Sequence, residues 1–276
     1  MNNLELFEAI ETEKIPGATF EILQCKHLQG SHDLNIAEKV FFANQAGIRL
    51  KMIRIILENK AILIEPGALH FMKGYLRLES AIQGGIARGL VRKWIAGETL
   101  FQSKISGTGE VFLEPSFGHF LLFNITDDAL IFDKKAFYCA SDTLEVSATM
   151  QKSLSGALFG GEGWFQTQAQ GSGVVVLVSP VPITELVTYE LAAGEKLSVD
   201  GNFALVRTAS VSFKAEKSAK TLFQSVVSGE GLLQTFTGPG TVWIAPTQAV
   251  YEKMKQPNGV EKLAEPQNNI DTHTET

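Results

Sequence analysis

Polar and apolar residues alternate in three stretches of the chain: YLRLES at 75–80, LEVSAT at 144–149 and SVSFKAE at 210–216. A period of two predicts strands with one face buried and one face in water. Three other runs are apolar without a break: Val111-Phe112-Leu113, Val174 to Val178 and Val242-Trp243-Ile244. Such runs predict strands covered on both faces. Each follows a Gly-x-Gly step, formed by Gly107 and Gly109, Gly171 and Gly173, and Gly238 and Gly240. Helical spacing is confined to the N-terminal ELFEAIETEK and to the connectors at 80–96, 147–160 and 214–228. The fold class is therefore all-β, with short connectors as candidate helices.

The strand signals recur at a fixed distance. Acidic turns begin at Glu65, Asp133 and Asp200, at offsets of 68 and 67 residues. The alternating segments, marked by Leu76, Leu144 and Val211, keep the same two offsets. A Gly ahead of each Gly-x-Gly strand, at Gly97, Gly161 and Gly229, recurs at offsets of 64 and 68. Fixed periods signal a tandem repeat. The boundaries are an N-terminal segment 1–19, β units at 20–115, 116–180 and 181–247, and a disordered tail over 248–276. Extra sequence near 30–50 lengthens the first unit. Three sandwich- or barrel-like units in a pseudo-threefold arrangement would cover edges that one unit leaves open.

Composition narrows the class. The chain has 276 residues, a net charge of −6 and two cysteines, Cys25 and Cys139, at no metal or redox spacing. An acidic balance weighs against a globally basic nucleic-acid binder, and unpaired cysteines fit a cytoplasmic location. The acidic N-terminus has the pattern of neither a secretory signal nor a transit peptide. The longest apolar run is too short for a membrane span.

The Gly-x-Gly step lacks the Lys-Ser/Thr of a phosphate loop and the third Gly of a dinucleotide loop, and a strand follows it where a helix would be needed. It reads as a structural turn. The first Gly supplies a positive φ and the second permits close backbone approach. The five histidines form no HxH or HExxH motif, and no GxSxG elbow occurs. No catalytic residue, metal site or cofactor is assigned. Glu65, Asp133 and Asp200 read as turn-forming acids.

Four stretches, EPGALHFMKGYLRLE, AGETLFQSKISGTGEVFLEP, LFGGEGWFQTQAQGSGVVVLVSP and SGEGLLQTFTGPGTVWIAP, resemble the altered-inheritance-of-mitochondria (mitochondrial biogenesis) family, formerly a domain of unknown function. The resemblance covers 20–247. It implies a fold of the tryptophan-attenuation-protein-like type and, for a fungal member, a part in inner-membrane organisation. It carries no catalytic residues over. Asp133-Lys134-Lys135 departs from the family at a turn where Gly is typical.

The connectors hold most of the spare positive charge. Arg88, Arg92 and Lys93 lie in 80–96 with no acid, and Ile82, Ile86, Leu90 and Trp94 form a stripe at steps of four. Arg88, Arg92, Lys93 and Trp94 are the candidate membrane- or partner-binding residues. The leading reading is a non-catalytic structural or interaction protein, cytoplasmic, with a peripheral contact to an anionic membrane surface. Its partners would be proteins, further copies of itself or that surface, and nucleic acid is disfavoured. The alternatives are a ligand- or RNA-binding module of the tryptophan-attenuation type and, behind it, an unrecognised enzyme.

Overall fold

The computed structural model describes residues 5–29, 32–79, 102–150, 165–200, 203–217 and 232–264. The chain opens with a hairpin, β1 (Phe7–Ile15) and β2 (Ala18–Cys25), and then helix α1 (Leu34–Gln45). Strands β3 (Lys51–Ile64), β4 (Leu69–Glu79), β5 (Ser103–Leu113), β6 (His119–Asp133), β7 (Phe137–Ser141), β8 (Leu144–Met150) and β9 (Phe165–Ser179) follow. Then come β10 (Val187–Leu191), β11 (Lys196–Asp200), β12 (Ala204–Thr208), β13 (Ser212–Lys217), β14 (Leu232–Thr237) and β15 (Gly240–Ile244). Two short helices close it, α2 (Gln248–Met254) and α3 (Gly259–Ala264).

The fold is all-β, and the strands pair antiparallel throughout the described residues. The larger sheet runs β1-β2-β3-β7-β9-β6-β12-β15-β10, with β5 joining β3 to β4 and with β8 on β9. A smaller sheet has the order β11-β14-β13. The sheets stay open and do not close into a barrel. Strands β3, β6 and β10 begin at Lys51, His119 and Val187, 68 residues apart each time.

Three core clusters follow one another along the chain. Phe20, Ile55, Ile62 and Ile105 lie in the first, Phe132, Phe137 and Ala169 in the second, and Val211, Phe213 and Phe236 in the third. Strands β6 and β9 form the wall between the first two. Phe120, Leu122, Val174 and Val176 face the first cluster, and Leu121, Val175 and Leu177 face the second. Side chains on a strand alternate between faces, so an unbroken apolar run serves two cores at once.

The Gly-x-Gly steps sit where these long strands bend. Opposite Gly107 and Gly109 the register of β3 slips between Leu57 and Lys60, and opposite Gly171 and Gly173 that of β6 slips between Ile125 and Asp128. Asn59 and Asp127 take positive φ there, 55° and 48°. The middle residue of each of these two steps holds its bulge. Thr108 Oγ1 accepts the Asn59 N–H at 3.0 Å, and Ser172 Oγ accepts the Asp127 N–H at 3.0 Å while donating to Asp127 Oδ1 at 2.8 Å. Gly107 has φ +131°, and a Cβ there would lie 2.0 Å from the Tyr75 carbonyl oxygen. In the third step the positive φ falls on Gly240 and not on Gly238.

Two expectations are corrected. ELFEAIETEK forms most of β1 because pairing with β2 and packing of Phe7 on Leu23, Met52 and Phe112 outweigh its helical spacing. Residues 248–264 carry α2 and α3 where a tail without structure was expected. The Thr247 hydroxyl donates a short hydrogen bond to Glu185 Oε2, and the Tyr251 hydroxyl donates to Glu185 Oε1 at 2.8 Å, which tethers α2. The connectors also begin later than expected, since 147–150 and 214–217 continue β8 and β13.

Two predictions follow from this packing. Gly67 also has positive φ, but a Cβ there meets nothing within 4 Å. Gly67→Ala should therefore cost only the left-handed strain, roughly 1–2 kcal/mol. Gly107→Ala adds the clash with Tyr75 and should exceed about 3 kcal/mol in urea denaturation. Equal losses would refute the close-approach argument. The hydrogen bonds from Thr247 and then Tyr251 hold the Glu185 carboxyl below the usual carboxylate range. A lowered carboxylate stabilises the fold above its unfolded pKa, and that stabilisation is lost as pH falls through the folded value. Hydrogen exchange at 248–254 should accelerate below about pH 4 in the wild type. In Tyr251→Phe it should already be faster at pH 7.

Candidate ligand cavity under helix α1

Helix α1 has strong end signals. Asp33 is its N-cap, with Oδ1 accepting from the N–H of Asn35 at 2.8 Å and of Ile36 at 3.3 Å. At the other end Gly47 takes φ +71°, and the Ile48 N–H donates to Ala43 O at 2.8 Å and the Gly47 N–H to Asn44 O at 3.2 Å. This is the Schellman closure. The helix is therefore fixed by its caps and by the strands on either side of it. It is not fixed by burial, because none of its residues is buried.

Its inner stripe is Ile36, Val40 and Ala43, at the spacing of one helical face. That stripe overhangs the end of β2 and the start of β3 without closing on them. The gap is a cavity of about 470 Å³, whose walls include Cys25, Leu28, Leu50 and Phe117 as well as the stripe. Protein interiors leave few voids larger than a water, so a gap of this size along an apolar helix stripe is the candidate binding feature. Polar groups line it sparsely: His27, Lys39, Asn44 and Arg49. Arg49 Nη1 donates to Asn44 Oδ1 at 2.7 Å, which orients the guanidinium. Among the described residues neither Arg49 nor Lys39 is in an ion pair.

The outer face of α1 is also apolar. Leu34, Phe41 and Phe42 are 85%, 57% and 60% exposed, and Ile48 and Phe117 stand exposed beside them. Phe41 and Phe42 meet edge to face, 5.6 Å between centroids. Across 26–51, Lys26, Lys39, Arg49 and Lys51 outnumber Asp33 and Glu38, in a chain of net charge −6.

Other polar clusters are structural. Arg207 is buried, donates to Val211 O at 2.7 Å and to Gln166 Oε1 at 3.3 Å, and lies over the Phe213 ring. Burial pulls its pKa to about 10, which leaves it charged at neutral pH. His70 faces Glu114 at 3.1 Å. His119 lies near Lys51 and Glu185, and its pKa is lowered first by burial and then by the Lys51 charge. The described residues hold no group of three or more His, Cys, Asp or Glu suited to a metal. Asp133 Oδ1 accepts the Lys135 N–H at 2.8 Å, an Asx turn. A second cavity, of about 390 Å³, is lined by Leu121, Leu177 and Leu205 among others, with Asp133 and Lys135 also on its wall. Its aliphatic wall lies against β6, β9 and β12, and Gln248 at the start of α2 completes the lining.

The residues singled out in the sequence fall into two groups. Gly107, Gly109, Gly171, Gly173, Gly238 and Gly240 lie at strand bends or ends. Arg88, Arg92, Lys93 and Trp94 lie outside the described residues. The α1 cavity was not anticipated, although Asp33 and Ala46-Gly47 are readable helix ends.

Comparison with solved structures gives the crystal structure of protein SPYM3_0169 from Streptococcus pyogenes. It has a TM-score of 0.55 and 17% identity, over 79% of this chain and 92% of that one, which establishes a shared fold. No curated protein matches. The family model described as mitochondrial biogenesis AIM24 matches residues 42–247, most of the chain. The chain belongs to the mitochondrial biogenesis AIM24 family.

Proposed function

We propose that this protein is a non-catalytic interaction module that associates peripherally with an anionic membrane surface through α1 and the loops beside it. The observation that carries this reading is that α1 exposes Leu34, Phe41 and Phe42 and has no buried residue. Large exposed side chains grouped on one short helix need cover, and an interfacial position supplies it. The cationic surplus around α1 favours anionic headgroups. The described helices are all too short or too polar to cross a membrane, which leaves the question of strands untouched. The cavity's sparse polar lining favours binding over chemistry. The body behind α1 is read as three copies of one strand unit about a pseudo-threefold axis. Its support is the spacing of 68 residues between β3, β6 and β10. Segment 80–96 supplies a second contact in this reading, through Arg88, Arg92, Lys93 and Trp94.

A second reading, self-assembly, rests on β4. That strand pairs only with β5 among the described residues, and it exposes Phe71, Met72, Tyr75 and Leu78. A long exposed edge is a template for another chain.

Vesicle co-sedimentation tests the first reading. A buried Phe side chain is worth roughly 1.5–3 kcal/mol. Phe41→Ser/Phe42→Ser should therefore cut binding to anionic vesicles by more than about tenfold at unchanged thermal stability. Arg88→Glu/Arg92→Glu/Lys93→Glu should weaken it further in low salt. Equal indifference of wild type and variants to anionic vesicles would sink the proposal. For self-assembly, Tyr75→Lys should shift sedimentation velocity toward the monomer, and an unchanged distribution rejects β4 as the contact.

A further inference from the structure

We infer that the cavity beneath α1 binds one long-chain carboxylate, with its alkyl chain along Ile36, Val40 and Ala43 and its head at Arg49 and Lys39. The inference rests on the reading of α1 as a lipid-facing element and names what its inner face takes. It needs no membrane to be present.

Four observations point the same way. The cavity, about 470 Å³, falls within the range of small-molecule sites and is many times the roughly 30 Å³ that one water occupies. That space suits a single chain better than the two chains of a phospholipid. The helix stripe and the facing Leu28, Leu50 and Phe117 give the chain apolar contact on both sides. The lining holds two cations, Arg49 and Lys39, and no carboxylate to neutralise them. Arg49 is already oriented by Asn44, so a carboxylate meets a preorganised donor. A polar or doubly charged metabolite would leave the stripe uncovered, and a neutral alkane would leave the two cations unanswered.

The test uses the full chain in vesicle-free buffer, with calorimetric titration of octanoate, decanoate and dodecanoate below their micelle concentrations. Saturable binding of one molecule per chain is expected. Affinity should rise about fourfold per added methylene until the cavity is full. Dodecanol should bind at least tenfold more weakly than dodecanoate, as should dodecanoate to Arg49→Glu. Ala43→Trp obstructs the alkyl path along the stripe and should weaken dodecanoate binding at least tenfold without lowering Tm. Absence of saturable binding to the wild type, equal binding of dodecanol, or full binding to folded Ala43→Trp would overturn the inference. The dodecanol arm needs no variant, so it stands even if Arg49→Glu fails to fold. Phe41→Ser/Phe42→Ser separates the two readings. It should lose anionic vesicles and keep dodecanoate. A wild type that binds vesicles and ignores dodecanoate refutes the carboxylate site alone, and the opposite result refutes the membrane reading alone.

Discussion

The fold depends on one wall. Strands β6 and β9 pair along almost their whole length, from His119 opposite Ser179 to Asp133 opposite Gln166. Both faces of that ladder carry core. Val174 and Val176 serve the first cluster, and Val175 and Leu177 the second, all fully buried. Such a wall tolerates no slip of register, because a one-residue shift would exchange the contents of two cores. The bulge at Asp127, pinned by Ser172, fixes that register.

The same constraint explains which parts of the fold were legible in the sequence. The part of the wall between two cores is apolar at successive positions, so Val174 to Leu177 announced itself; Val178, the last residue of the run, is exposed. Strands with one wet face alternate, and 144–149 and 210–216 lie wholly or mainly on such strands; 75–79 lies on β4, which alternates in sequence but has no buried residue on either face. Gly-x-Gly read as a turn between strands, but the first two steps lie inside β5 and β9 opposite bulges, and only the third falls between two strands. The role of the middle residue was not legible, because it depends on Asn59 and Asp127, far away in sequence. Helix α1 was missed for a different reason. Its caps were visible in Asp33 and Gly47, but its twelve residues give a short periodic signal, and Phe42 falls among the polar positions Asn35, Glu38 and Lys39. ELFEAIETEK failed the other way, since its apolar positions satisfy both periods and only the pairing with β2 decides between them.

An apolar helix held by its caps is a conflict that most domains resolve by burial. Here the strands hold α1 at both ends while the middle stands off the sheet. Closing the gap would need the 48–50 segment to move inward, and that segment is tied down. The Cys25 N–H donates to Leu50 O at 2.8 Å, and Lys51 exchanges both backbone hydrogen bonds with Ser116. The gap is thus enforced by the sheet and does not come from poor packing of the helix.

The boundaries of the family match add a further step. The match begins at Phe42, within α1, and runs to 247. The hairpin β1–β2 and the first two turns of α1 lie before it. The cavity therefore straddles that boundary: Ala43, Asn44, Leu50 and Phe117 come from the matched region, and Cys25, Leu28, Ile36 and Val40 from outside it. Family membership accounts for the strand body and its bends. The candidate site draws on both the matched body and the hairpin and helix that precede it, so its shape depends on how those two parts pack.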